Sequence, residues 1–291
     1  MWTTIWLITM AFGRAQGQEP TDQLVPAGWR GNPWGPEATR AREKGMIPPI
    51  VRTPSMTRWE EWGKKVLRDG DVVFRRGDAR ILYGHFPFSR FLANVSGSAF
   101  SHTGIVAIEG GEPVVYDTTK AGVRRQPFYV WVLDNAGPFG VKRLRPEYAA
   151  YVPKALSFCR QLFELQPPFD YDLNPDDTAY YCVEMCDKAF RKSGLPLAPP
   201  VRLGDMENIQ EFPVIVFAFL QMSPLTLDQL VYFPGNERHG IWSSPYLTTV
   251  SAPPGGSSAK LPTNLSALAR LFASESPRPT TPGPTGVSAS R

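Results

Sequence analysis

Three residues of this chain have the types that thiol hydrolysis needs: Cys182, His102 and Asp117. Tyr180-Tyr181-Cys182-Val183-Glu184 follows a turn-rich run from Pro167 to Asp177 and opens a helix-like stretch that closes at Gly194. A thiol in a helix's first turn sits at the positive end of the macrodipole, beside unpaired backbone N–H groups. That setting draws a cysteine pKa from ~8.5 toward ~3.5–7.5 and makes the sulfur a nucleophile. Ser101-His102-Thr103-Gly104-Ile105-Val106 puts a histidine on a strand, and Asp117 lies on the next one.

Register decides whether His102 and Asp117 can meet. Directly opposed residues of an antiparallel pair point to the same face. A two-residue loop at Glu109-Gly110 sets 102 opposite 117, and a four-residue loop over 109–112 sets 104 opposite 117. Both put the two side chains on one face, whereas a three- or five-residue loop would separate them. The glycines favour a tight turn.

In this arrangement Cys182 is the nucleophile. His102 forms the thiolate–imidazolium pair and protonates the leaving group, while Asp117 orients the imidazole. The Cys182 backbone N–H is the natural first donor to an oxyanion. Glu184 and Tyr181 are site-support candidates, though a carboxylate near a helix N-terminus also has a structural reason to be there. Each main residue has a plain structural reading as well: a buried helix-start cysteine, a core histidine, a strand-end carboxylate. Their joint occurrence favours chemistry. Cys186 extends an apolar stripe one turn after Cys182, Cys159 sits mid-helix, and both read as core.

The elements that must position these residues span 55–249. Thr57 and Glu60 have capping-box spacing ahead of Trp62 and Val66. Asp69-Gly70-Asp71 turns into a strand at 72–74. A hairpin of 100–108 with 113–118 follows, then a strand at 140–145, a helix at 149–165 with Pro153 in its first turn, and the Cys182 helix. The apolar runs 213–220 and 227–233 read as buried elements completing the core. Strands in the middle and helices on either side make an α+β fold. Residues 18–54 read as a Pro/Gly-rich extended arm, and 250–291 as a disordered Ser/Pro/Thr-rich tail.

Composition narrows the class further. A net charge of +4, from 31 basic and 27 acidic residues, is spread without a basic stripe, so nucleic acid is not an expected partner. Three cysteines cannot make a disulfide framework. No phosphate-cradling loop, Gly-x-Ser-x-Gly elbow or zinc-ligand spacing occurs, and no cofactor or metal is expected. Residues 2–12 are apolar and uncharged, and Ala15 and Gly17 fit the small positions of a cleavage site. Residues 1–17 therefore read as a secretory signal, although the usual basic n-region is missing. The expected location is periplasmic or secreted, and cytoplasmic if the signal is not used.

The order Asp69-Gly70-Asp71-Val72-Val73-Phe74, then Ser98 to Val106, then Phe169-Asp170, then Tyr180-Tyr181-Cys182-Val183-Glu184 resembles the permuted papain-like amidases of the YaeF/YiiX type. These are circularly permuted relatives of the NlpC-type cysteine peptidases. The likeness covers roughly 66–235, with Ser223-Pro224-Leu225-Thr226 near its end. It implies a circularly permuted papain-like fold, an antiparallel sheet packed against helices, in which the histidine strand precedes the cysteine helix. It implies catalytic roles for Cys182 and His102, with Asp117 where the family usually has a glutamate, and Val183 where it often has serine. It also implies hydrolysis of an amide bond, in a peptidoglycan peptide or an N-acyl lipid, with contact to a membrane surface. Acyl transfer through a cysteine thioester is the alternative on the same fold, and a catalytically silent binding module is another.

Overall fold

The computed structural model describes residues 24–251, apart from 27, 78, 81–85 and 136. The secretory signal, nearly all of the Ser/Pro/Thr-rich tail and His85 lie outside the described residues.

The centre is a six-stranded antiparallel sheet in the order β4-β3-β2-β1-β5-β8. Its strands are β1 (Val72–Arg75), β2 (His102–Glu109), β3 (Glu112–Thr119), β4 (Gly122–Pro127), β5 (Phe139–Leu144) and β8 (Leu247–Ser251). Two short strands, β6 (Val201–Arg202) and β7 (Leu230–Val231), pair separately. The helices are α1 (Pro36–Glu43), α2 (Pro54–Val66), α3 (Phe88–Val95), α4 (Phe128–Trp131), α5 (Val152–Leu165), α6 (Cys182–Arg191) and α7 (Pro213–Met222).

Strand alternation explains why both sheet faces are covered. Val72, Phe74, Ile105 and Tyr116 point to α5 and α6, where they meet Leu156, Cys159, Val183, Met185 and Cys186. Val73, Val106, Val115 and Val141 point the other way, onto Leu67, Phe128 and Trp131. Period-two alternation therefore feeds two cores from one sheet. Charged residues on these strands have to be buried too, and that proves decisive for the site.

Several expectations need adjustment. α2 begins one turn before Thr57, because Thr53 caps it by accepting from the Met56 N–H at 3.3 Å. A 3-10 turn takes up 146–151 before α5 begins. The N-terminal arm is not extended throughout. Pro36, pre-set for a helix's first turn, starts α1, and Trp34 is buried, its carbonyl accepting from the Arg125 N–H beside β4 at 3.0 Å. Folded structure therefore starts before residue 55.

The run 213–220 is helical but not buried. One side of α7 packs through Ile215 and Val216 against Phe91 and Phe212 on α3 and the preceding turn. Val214 and Phe217 remain 57% and 65% exposed. Hydrophobicity without periodicity marks an apolar element, but what lies against it depends on the rest of the fold. Of 227–233, only Leu230–Val231 is strand.

Candidate active site

β2 and β3 turn at Gly110-Gly111, both with positive φ (60° and 83°), the conformation a two-residue hairpin turn requires. Glu109 pairs with Glu112 and Ile105 with Tyr116, a register that sets Gly104, not His102, opposite Asp117. His102 is thus Asp117's diagonal neighbour on the same face, and the glycine between them is what lets the short acid lean across. His102 Nε2 and Asp117 Oδ2 are 2.7 Å apart. A Cβ on Gly104 would stand 2.5 Å from Val115 Cγ1 and 3.0 Å from the Tyr116 carbonyl oxygen. Gly104→Ala is therefore expected to cost about 1–3 kcal/mol of stability by overpacking and to loosen the Asp117–His102 contact. Thermal denaturation checks it, and an unchanged melting temperature would contradict the tight fit.

α6 lies on the opposite sheet face, and its N-terminus ends at the start of β2. There the Thr103 hydroxyl donates to the Cys182 carbonyl at 3.2 Å. The sulfur meets the His102 ring at this rim and hydrogen-bonds it, and the Thr103 backbone N–H also donates to the sulfur. With Nε2 engaged by Asp117, Nδ1 is the ring nitrogen left for the thiol. Cys182 is partly exposed, whereas Cys159 and Cys186 are buried.

Burial opposes charge at this site, and the neighbours reverse the outcome. For Cys182, burial raises the pKa, but the His102 charge, its hydrogen bond and the Thr103 N–H bring it below the ordinary thiol value. For His102, burial works downward, as does Arg75. The Cys182 charge and hydrogen bonds to Asp117 and Cys182 outweigh them and push it up to about 9. Asp117 is held well below the usual carboxylate range, because Arg124 and the His102 hydrogen bond overcome its burial. The combination favours a thiolate–imidazolium pair at neutral pH. Burial makes the other thiols inert: it pushes Cys159 up to about 12 and Cys186 well above its ordinary value.

The two support candidates hold the helix start. Glu184 is fully buried, accepts from the Tyr181 N–H at 3.4 Å and pairs with Lys188 at 2.8 Å. Burial pushes Glu184 up to about 7 against the pull of Lys188. The Tyr181 hydroxyl is committed to the Tyr232 backbone, donating to its carbonyl at 3.1 Å and accepting from its N–H. Tyr181 therefore anchors the start of α6 and does not aim a hydroxyl at an oxyanion.

Sequence reasoning missed the groups behind Asp117. Arg124, its cross-strand partner on β4, grips both carboxylate oxygens, Nε to Oδ1 at 2.9 Å and Nη2 to Oδ2 at 2.6 Å. The Trp131 indole N–H donates to the same Oδ2 at 2.7 Å, and its ring stacks on His102 at 6.0 Å. A strand at 122–127 facing Asp117 would have been the signal, through cross-strand pairing of Asp117 with Arg124.

A cleft of about 630 Å³ opens between α1, the β3–β4 turn and the segment after α5, lined by Glu37, Arg40, Lys120, Gln166, Phe169 and Tyr171. It does not include the three reactive residues. Lys120 is three residues beyond Asp117, which along a strand is about 10 Å, and Phe169 is bridged to Tyr180 just before Cys182. Among the described residues, no group of three or more His, Cys, Asp or Glu side chains is placed to hold a metal ion. No described helix is long and apolar enough to cross a membrane.

The family model described as "Permuted papain-like amidase enzyme, YaeF/YiiX, C92 family" matches residues 66–214. A crystal structure from Escherichia coli O157:H7, described as "metalloprotein yiiX", matches with a TM-score of 0.54 at 19% identity, covering 64% of this chain and 98% of that one. At that identity the likeness shows the fold alone. No curated protein matches the chain.

Proposed function

Because the chain belongs to the permuted papain-like amidase family of the YaeF/YiiX type, a family of cysteine amidases and peptidases, we propose that it hydrolyses an amide bond with Cys182, His102 and Asp117 as its catalytic triad. The observation that carries this reading is the His102 ring, bonded at 2.7 Å to Asp117 and at the same time to the Cys182 sulfur.

The Cys182 thiolate adds to the amide carbonyl carbon, and the carbonyl electron pair moves to oxygen. The Cys182 backbone N–H, unpaired at the start of α6, is placed to donate to that oxyanion. Collapse expels the amine, which takes the proton held by His102, and leaves a thioester on Cys182. Water then gives a proton to His102 and adds to the thioester. The second collapse releases the carboxylic acid and restores the thiolate–imidazolium pair. Asp117 keeps Nε2 engaged throughout, so the same nitrogen faces the sulfur at each step.

A neighbouring cleft supports one substrate class. The cleft beside Lys120 carries charges of both signs and two aromatics, which suits a charged peptide such as those of peptidoglycan. The uncharged run 2–12 with Ala15 and Gly17 supports export to the envelope as part of this reading. A second reading, an N-acyl lipid amidase or acyltransferase, is favoured by one observation, the exposed apolar side of α7 at Val214 and Phe217.

Iodoacetamide labelling at pH 7 tests the reading. Cys182 is expected to react at least about tenfold faster than a free thiol of ordinary pKa, its thiolate fraction being larger. Acid-quenched protein exposed to envelope extract should carry an acyl group on Cys182. A peptidyl mass supports the first substrate class and a fatty acyl mass the second. Reaction no faster than a free thiol, with no acyl adduct, overturns the enzyme reading.

A further inference from the structure

The groups behind Asp117 continue into the protein as a row of alternating charge. Arg124 reaches Asp134 at 3.8 Å, and Asp134 pairs with Arg75 at 3.1 Å. Arg75 sits directly across from His102 in the β1–β2 register, donates to the Trp131 carbonyl at 2.6 Å, and stacks its guanidinium 4.5 Å from the Trp131 ring. Asp117, Arg124, Asp134 and Arg75 are all buried, none more than 3% exposed. Isolated charges in such a place would be strongly destabilising, so they persist only as a compensated set.

The charge count is informative. Once the reactive pair forms, the anions are the Cys182 sulfur, Asp117 and Asp134, and the cations are His102, Arg124 and Arg75. Three face three; before proton transfer two face two, so the thiolate–imidazolium pair forms without a net charge being buried, and an ionised sulfur is what balances a protonated ring. Resting on the triad reading above, we propose that Arg124 is a positioning residue that aims Asp117 at His102 and supplies the positive charge that lets the Cys182 thiolate, the imidazolium and the Asp117 carboxylate coexist. The charged groups that act on the ring are Arg75 from β1, Asp117 from β3 and Cys182 from α6, with Arg124 paired to Asp117 and Asp134 to Arg75 behind them.

The sign of each perturbation follows. Removing Arg124 leaves a net negative buried cluster, which takes up a proton at a higher pH, and the thiolate is the group lost. Removing Asp134 leaves a net positive cluster that holds the thiolate to lower pH. The experiment is the rate of iodoacetamide labelling of Cys182 in the full chain against pH, located by peptide mass, for wild type, Arg124→Met, Arg124→Lys and Asp134→Asn, each with a melting curve. An opposite charge in contact shifts a titration by about 1–3 pH units. Arg124 reaches the sulfur through Asp117 and His102 and not by contact, so Arg124→Met is expected to move the acid limb up by less than that, about half a unit to one unit. Arg124→Lys keeps the charge but lacks the two-pronged hold, so its limb stays at the wild-type pH while amide turnover falls at least about tenfold. Asp134→Asn moves the limb down.

Limbs that coincide in folded variants overturn the inference. A purely structural role lowers melting and labelling amplitude without moving the limb. If Arg124→Met fails to fold, the opposite shift expected of Asp134→Asn and the unmoved limb of Arg124→Lys decide the matter. Slow labelling of wild-type Cys182 sinks the triad reading and this inference together. Fast wild-type labelling with unmoved limbs sinks this inference alone.

Discussion

Cys182→Ala lowers amide turnover by at least ~10⁴-fold, with the melting temperature near that of the wild type. The size reflects the loss of the proposed attacking atom, and nucleophile deletions in comparable triads remove nearly all of the chemistry beyond binding and oxyanion stabilisation. Neither remaining thiol can substitute, since both are buried between α5 and α6 and disfavoured as thiolates. Stability changes little because the side chain is small and partly exposed. Cys182→Ser keeps the shape but not the acidity, so it falls with alanine rather than between. Steady-state turnover of an amide substrate, with a melting curve for each variant, is the check. Residual turnover above about one hundredth of wild type would assign the attack to another group.

Asp117→Asn has the second largest effect, and it strikes activity and stability at once. The amide cannot hold the imidazolium by charge, and the hydrogen-bonded tautomer is no longer enforced, a change that costs ~10⁴-fold in kcat in a Ser-His-Asp triad. The same change leaves the buried Arg124 without its bidentate carboxylate. Breaking a buried ion pair from one side costs about 3–5 kcal/mol, which for a domain of this size is a fall of roughly 10 °C in Tm. The pH sign is also defined. Asp117 has a folded pKa below its unfolded one, so its contribution is present above about pH 4 and lost on acidification. His102 is raised from 6.5 to about 9, so its charge-linked contribution is full below pH 6.5 and fades as the pH rises through 9. An Asp117→Asn protein with wild-type melting would contradict the buried network, whatever its activity.

How much of this could be read from the residues depends on the range of the interactions involved. Cys182 was legible because a helix start is a local property, announced by the turn-rich run before it. The His102–Asp117 face was legible because side-chain parity is the same for both short turns considered. The actual register came from the Gly110-Gly111 turn, one step on from Glu109-Gly110, and with it the role of Gly104 as the gap Asp117 leans across.

The rest depended on partners distant in sequence. β4 carries Arg124-Arg125, a doublet that reads as solvated surface, yet one arginine faces a buried carboxylate and the other pairs with Glu109 at 2.6 Å. Nothing near Arg75 or Asp134 shows that both will be enclosed beneath Trp131. α7 fails in the opposite sense: its composition is that of a core, and the described fold leaves one side uncovered. Patterning alone gives which groups avoid water, whereas the third dimension gives which find a match.

The two silent thiols have a consequence of their own. Cys159 on α5 and Cys186 on α6 are close enough to influence each other electrostatically, enclosed where the two helices meet. While the helices stay docked, an oxidant finds only Cys182, and damage there tracks chemical reactivity. When α6 opens locally, as native proteins do, the two thiols become reachable. Their oxidation then follows how often that seam opens, whereas oxidation of Cys182 follows the chemistry of the site.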